Sequence, residues 1–182
     1  MRKIVAGLFV TLDGVVESPE KWVSPYAGEE FGESIRASMT GSDALLVGRR
    51  TYEVFAGSWP GRGTEDPMAA YMNNVEKYVV STTLEHADWN NSTLVTGDLG
   101  KEITALKERP GKNINVAGSA TLVRWLLREN LLDELWLLVF PVVLGEGQRL
   151  FPAGSDRSSL RLVEFRTVDT GILSVVYAPS GG

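Results

Sequence analysis

The strongest constraint on the fold is an alternation of continuously apolar segments with segments of helical periodicity. Ala44–Val47 and Leu135–Phe140 are apolar at every position, as is typical of strands buried on both faces of a parallel sheet. Between such segments, Phe31, Ile35 and Met39 recur every four residues and predict one buried helix face. The pattern therefore predicts the α/β class, with a central, mainly parallel sheet and helices on both of its faces.

Residues 1–182 contain no repeat, low-complexity block or long linker, so we expect a single domain. The predicted strands are Lys3–Thr11, Asp43–Gly48, Lys77–Val80, Thr93–Val95, Asn113–Ala117, Glu134–Val142 and a closing antiparallel hairpin of Leu160–Val168 with Ile172–Ala178. The predicted helices are Glu29–Met39, about Arg50 to Phe55, Pro67–Asn74, Leu99–Arg109 and Ala120–Glu129. Ligands of such sheets bind at the carboxyl ends of the strands.

Composition narrows the possible chemistry. The chain has no Cys and one His, His86, so disulfides, thiolate metal sites and cysteine nucleophiles are excluded and no metal site is expected. Its 18 basic and 23 acidic residues give a net charge of −5, which disfavours nucleic acid as a partner. No apolar run approaches the roughly 20 residues that span a bilayer. We therefore expect a cytoplasmic protein that does not bind membranes.

The common nucleotide-binding motifs do not occur. Gly145–Leu150 has leucine where G-x-G-x-x-G requires its third glycine, and no earlier glycine makes Gly111-Lys112 part of a P-loop. A dinucleotide-binding Rossmann enzyme and a P-loop enzyme are therefore both disfavoured.

Small or polar turns instead follow three apolar strands directly. They are Gly48–Thr51, Ser81–Thr83 and Gly118–Thr121. Backbone N–H groups, hydroxyls and guanidinium groups at a strand end or helix start can hold phosphate oxygens. The same residue types also begin helices as caps, so each turn alone has a purely structural explanation. Three on one sheet, one of them with the Arg49-Arg50 pair, predict a phosphorylated ligand.

In this order, the motifs resemble those of a known family. They are Leu12-Asp13-Gly14, the segment from Leu46 to Glu53, Val79–Thr83, Val116–Leu122 and the segment from Pro141 to Phe151. The arrangement resembles the dihydrofolate reductase fold, and more closely the branch typified by the reductase domain of the bifunctional riboflavin-biosynthesis deaminase-reductase. The resemblance covers nearly the whole chain and implies a reductase that takes a hydride from NADPH.

The resemblance also implies site residues. Arg49, Arg50 and Thr51 would hold the cofactor phosphates, Ser81–Thr83 would line its adenosine end, and Gly118–Thr121 would cradle the pyrophosphate. Val5, Ala6 and Gly7 would form the wall beside the nicotinamide or substrate ring. The cofactor-binding residues predicted in this way are Ala6, Gly48, Arg49, Arg50, Thr51, Ser81, Thr82, Thr83, Ala117, Gly118, Ser119, Ala120 and Thr121.

A proton must accompany the hydride, and the candidate catalytic acids are Asp13 and Glu30. Dihydrofolate reductases proper carry one pterin-binding carboxylate on the helix after the first strand, where this chain offers Glu29, Glu30 and Glu33. Acids near a helix start are also favourable on an exposed face, and Asp-Gly is a common turn pair. A bound water is the third possible proton source.

The predicted function is NADPH-dependent reduction of a small heterocycle. The substrate predicted first is 5-amino-6-(5-phosphoribosylamino)uracil. The alternative functions are dihydrofolate reductase activity and nucleotide binding without efficient catalysis. Glu134–Val142 and the closing hairpin carry more apolar residues than one sheet face needs. Members of the riboflavin-type branch commonly pair through this region, so we also predict a homodimer.

Overall fold

Each continuously apolar segment forms a strand of one sheet in the computed structural model, which describes residues 1–63 and 65–180. The strands are β1 (Ile4–Thr11), β2 (Ser42–Gly48), β3 (Glu76–Val80), β4 (Ser92–Val95), β5 (Asn113–Val116), β6 (Glu134–Phe140), β7 (Leu160–Thr167) and β8 (Leu173–Pro179). Their order is β4-β3-β2-β5-β1-β6-β8-β7. The first six strands pair in parallel, and β8 and β7 are added antiparallel. The predicted fold class is therefore confirmed.

Five helices connect these strands within the described ranges: α1 (Glu29–Thr40), α2 (Arg49–Ser58), α3 (Pro67–Asn74), α4 (Leu99–Glu108) and α5 (Ala120–Arg128). The predicted end of α2 at Phe55 was one turn too early. Phe55, Ala56 and Trp59 pack on the sheet, which keeps the chain helical until just before Pro60. No helix in the described ranges is long and apolar enough to cross a membrane.

The two faces of the sheet have different coverings. Alternate β1 residues Ile4, Ala6 and Leu8 pack with α4 and α5 in the largest core cluster. On the opposite face, α2 and α3 cover β2 and β3, and α1 lies closer to β1 and β6. There, Phe9 and Phe140 form an aromatic cluster with residues of α1 and of the segment before it. The packing leaves the carboxyl ends of β2, β3 and β5 side by side.

Candidate functional site

Two of the predicted cofactor turns touch each other. The Gly48 N–H donates to the Gly118 carbonyl oxygen at 3.1 Å, which joins the end of β2 to the end of β5. A Cβ atom on Gly48 would lie 2.8 Å from Ser119 Oγ, and one on Gly118 would lie 2.9 Å from Thr51 Oγ1. Gly118 also has a φ of +127°, which side chains rarely adopt. Glycine at both positions is therefore needed for this close approach.

Helices α2 and α5 begin at these turns. The Ser119 hydroxyl accepts the Leu122 N–H at 3.4 Å and caps α5, whereas the α2 start at Gly48 has no side-chain cap. The first N–H groups of α2 lack intrahelical partners, and a helix start of this kind favours an anion. The edge formed by β2 and β5 therefore offers backbone donors to a phosphate.

The two adjacent arginines differ in their surroundings. Arg49 Nε lies 4.0 Å from a carboxylate oxygen of Glu53, one helical turn along α2. The Arg50 side chain is exposed and makes no hydrogen bond or ion pair with residues 1–63 or 65–180. Arg50 is therefore the more available of the two for a ligand.

The residues of the Ser81–Thr83 turn have two different roles. Ser81 is buried, and its hydroxyl accepts the N–H groups of Thr83 at 3.1 Å and Leu84 at 2.9 Å. Thr82 and Thr83 are exposed beside it. Ser81 thus fixes the turn, and the two threonines are available for contact.

The three residues of the predicted ring wall face different ways. Ala6 has no exposed surface and packs toward α4 and α5, so in this structure it offers no atom to a ligand and its predicted cofactor contact is not seen. Val5 lines a cavity on the α1 side of the sheet. The Trp136 ring covers Gly7, where a Cβ atom would lie 3.1 Å from it.

This cavity, of about 240 Å³, lies between α1 and the sheet. It is lined in part by Val5, Ser34, Ser38, Asn115 and Trp136. Asn115 donates to Ser38 Oγ at 3.3 Å, while its buried Oδ1 has no partner among the described residues. None of the sequence motifs described above indicates this cavity. Its signal was Asn113 and Asn115 on alternate positions of a strand that is otherwise apolar.

The three glutamates of α1 lie outside this cavity. Glu30 accepts the Asp169 N–H at 2.7 Å, and Asp169 accepts the Glu30 N–H at 3.2 Å, so Glu30 contacts the turn between β7 and β8. Glu29 and Glu33 are exposed, and the buried position of this helix is Ser34. The catalytic role of Glu30 remains a prediction, since in this arrangement its carboxylate is engaged by the hairpin turn.

Asp13 lies at the carboxyl end of β1 and is held by donors. Its carboxylate accepts the Thr11 hydroxyl at 2.6 Å, the Gly145 N–H at 2.8 Å and the Leu144 N–H at 3.2 Å. These hydrogen bonds, the Thr11 bond first, lower the pKa of Asp13 to about 2. Asp13 is therefore a carboxylate at neutral pH.

A family model, that of the RibD C-terminal domain, matches residues 2–174 of this chain. The chain belongs to the RibD C-terminal domain family.

Individual relatives are consistent with this membership in the RibD C-terminal domain family. The chain is 31% identical to the uncharacterized protein YyaP of Bacillus subtilis (strain 168), over 99% of this chain and 96% of that protein. A crystal structure from Shewanella sp. PV-4, assigned provisionally to riboflavin biosynthesis, is 20% identical with a TM-score of 0.79, covering 98% and 99% of the two chains.

The fold also extends to dihydrofolate reductase itself. The Enterococcus faecalis enzyme, solved in complex with NADP(H) and RAB-propyl, is 16% identical with a TM-score of 0.64. The alignment covers 98% of this chain and 97% of that enzyme. At this identity the likeness shows the dihydrofolate-reductase-like fold alone, which confirms the resemblance stated from the sequence.

Proposed function

We propose that the chain is an NADPH-dependent reductase of a small heterocyclic substrate. The observation that carries the proposal is the junction of the Gly48 and Gly118 turns at a sheet edge where Arg50 is exposed. Membership of the RibD C-terminal domain family supports it. When bound, NADPH supplies a hydride, and the protein contributes binding, orientation and exclusion of water.

The residues present suit a cofactor with several phosphates. The uncapped start of α2 and the two adjoining glycines let phosphate oxygens approach backbone N–H groups. Arg50, with Thr82 and Thr83, would hold the 2′-phosphate that distinguishes NADPH from NADH. A chain of net charge −5 needs such a local concentration of positive charge to bind a polyanion.

We place the substrate ring in the α1 cavity. Its volume of about 240 Å³ is below the usual range of drug-sized pockets, about 300–1,000 Å³, and suits a single heterocycle. Trp136 provides a flat aromatic wall and Val5 an apolar one, and Asn115 and Ser38 provide hydrogen-bonding groups. The cavity is also lined by the charged residues Glu134, Glu164 and Arg166. Asn115 lies three residues before Gly118, so a ring beside it is about 10 Å along β5 from the cofactor turn, and the nicotinamide would have to extend from that turn along the strand to reach it.

A pyrimidine such as 5-amino-6-(5-phosphoribosylamino)uracil is the first substrate to test, and dihydrofolate is the second. A substrate bound as in dihydrofolate reductases would need a carboxylate on the helix after the first strand. No glutamate of α1 lines the cavity, whose carboxylates are those of Glu134 and Glu164 on β6 and β7. A carboxylate on the helix, as in dihydrofolate reductases, is therefore not available there, which favours the pyrimidine as the first substrate to test.

The cofactor proposal is tested by titrating NADPH and NADH against wild type, Arg50→Ala and Thr82→Ala, using the fluorescence of the reduced nicotinamide. Loss of one charge-assisted hydrogen bond should weaken NADPH about tenfold and leave NADH nearly unchanged. Arg161→Ala, an exposed arginine on β7, is the matched control. Equal losses for both cofactors would show that no 2′-phosphate site exists at this turn.

Catalysis is tested separately with a panel of pyrimidine and pterin substrates. Loss of absorbance at the reduced-nicotinamide band identifies a reductase and its substrate class. A nucleotide-binding module without catalysis would bind NADPH and never oxidise it, and that result would overturn the reductase assignment.

We also propose a homodimer through the hairpin side of the sheet. Leu162, Phe165 and Leu173 share the face that α4 and α5 leave uncovered at this edge, with exposed fractions of 50%, 69% and 43%. Burial of such a patch in a second copy would remove apolar surface from water. Sedimentation should give twice the chain mass, and Phe165→Ser should shift it toward the monomer. A monomer at micromolar concentration would contradict the proposal.

A further inference from the structure

We infer that Asp13 is a positioning residue, which fastens the 144–150 loop to the turn after β1 and, through that loop, orders the start of α5. Its consequence for catalysis rests on the proposed function, whereas the fastening itself is a property of the chain alone. The sequence made Asp13 a candidate proton donor, and the inference replaces that role.

Backbone hydrogen bonds join the two segments beside the Asp13 carboxylate. Val16 N–H donates to the Gln148 carbonyl oxygen at 2.9 Å, and Leu150 N–H donates to the Gly14 carbonyl oxygen at 2.9 Å. Arg149 completes the junction, since its Nε donates to the Asp13 carbonyl oxygen at 2.8 Å and its Nη2 lies 3.8 Å from the carboxylate. Asp13 is thus the point on which donors from both segments converge.

The same loop reaches the predicted pyrophosphate cradle. Arg124 of α5 donates from Nη1 to the Leu150 carbonyl oxygen at 2.8 Å and from Nη2 to Thr121 Oγ1 at 3.2 Å. Leu150 is 2% exposed and packs in the same core cluster as Leu122. A loop held by Asp13 therefore fixes Arg124, and Arg124 fixes a residue in the first turn of α5.

The occupied carboxylate is a poor proton donor. Both oxygens of Asp13 already accept hydrogen bonds from N–H or O–H groups, and protonation would weaken these bonds by removing the charge that strengthens them. The pKa of about 2 expresses the same preference for the ionised form. A proton for the substrate then comes from solvent or from another group at the cavity.

Hydrogen exchange on the chain without ligands tests the fastening. Asp13→Asn keeps the side-chain shape but removes the charge, and should speed exchange of the Leu144 and Gly145 amides about tenfold. Arg149→Met removes an exposed side chain of the same junction and should act in the same direction. Glu146→Gln, an exposed carboxylate of the same loop without a hydrogen bond to the described residues, is the matched control. Unchanged exchange in both variants would overturn the inference.

Kinetics separates positioning from acid catalysis. With an identified substrate, Asp13→Asn should raise KM for NADPH several-fold and keep the shape of the kcat–pH profile. A proton donor would instead lose about 10²–10⁴-fold in kcat together with one limb of that profile, and this result would refute the positioning role. If NADPH does not bind, the proposed function fails, and the exchange experiment still decides on the fastening.

Discussion

Basic residues have different roles at the two ends of the parallel strands, which we call the amino-terminal and carboxyl-terminal edges of the sheet. At the amino-terminal edge, Arg2, Lys77 and Lys107 are exposed by only 6%, 1% and 8%, and each donates to acceptors inside the protein. At the carboxyl-terminal edge, Arg49 and Arg50 are exposed, and Arg50 has no partner in the described ranges. The buried cations at the amino-terminal edge stabilise the fold, while the exposed arginines at the carboxyl-terminal edge can contact a ligand.

The partners of the buried cations explain this difference. Lys107 Nζ lies 2.6 Å from Asp133, whose carboxylate also accepts the Ile4 N–H at 2.7 Å. Lys77 Nζ donates to the Val75 and Asn90 carbonyl oxygens at 2.8 Å each and lies 4.3 Å from the Trp89 ring centre. A buried charge must be paired in this way. Burial and pairing together therefore mark these cations as structural.

Lys107→Met gives the largest expected loss of stability. Removal of one partner leaves Asp133 with the Ile4 N–H and water, since its side chain is 33% exposed, and should lower the free energy of unfolding by about 3 kcal/mol, the low end for breaking a buried pair. NADPH affinity of the folded variant should be unchanged, because the change lies at the amino-terminal edge. Urea unfolding and cofactor titration measure the two effects. Lys101→Met on the same helix, whose side chain is 86% exposed, is the control. A large loss of NADPH affinity would break the distinction between the edges.

Gly118→Ala should have a smaller effect on stability and a larger one on binding. Its φ of +127° and the Cβ contact of 2.9 Å with Thr51 should cost about 2–3 kcal/mol. The Gly48 turn would shift with it, so NADPH binding should weaken by more than tenfold. The control is Gly57→Ala in α2, where a Cβ atom meets nothing within 4 Å. Unchanged cofactor affinity in Gly118→Ala would show that the two turns do not act together.

The turns at the carboxyl-terminal edge could be predicted from the sequence. The Gly48 and Gly118 turns follow their strands directly in the chain, so a strand pattern and the next few residues were enough to identify them. Parallel pairing then places strand ends at one edge. The division of roles between Arg49 and Arg50 needed coordinates, because the contact of Arg49 with Glu53 is only one of several that its length allows.

The α1 cavity and the acids beside it were harder to predict, because distant segments assemble them. Glu30 meets a residue 139 positions away in the chain, which no local pattern indicates. Helical periodicity identified Phe31 and Ile35, which are partly buried, but gave no indication that Ser34 is the buried residue of this helix. Asn115 is a polar exception to the apolar pattern of β5, and this exception was the sequence feature that indicated the cavity.

The smallest expected effect is a pH dependence of stability caused by Lys77. Burial lowers the pKa of Lys77 to about 8 from 10.5, so between these values the folded chain binds fewer protons than the unfolded chain. Stability must then rise with pH across this window, by about 1–2 kcal/mol between pH 8 and 9.5. Burial raises the pKa of neighbouring Tyr78 and of Tyr71, which opposes the rise near pH 10 and makes pH 8–9.5 the range to measure.

Lys77→Met removes the titrating group, so its free energy of unfolding should be nearly flat between pH 8 and 9.5 while that of wild type rises. The variant also loses two hydrogen bonds to carbonyl oxygens, which lowers its stability at every pH without adding a slope. The difference in slope is therefore the informative quantity, and chemical denaturation at each pH supplies it. Parallel slopes would mean that water reaches the Lys77 ammonium group, and that this cation is not held at the amino-terminal edge by burial.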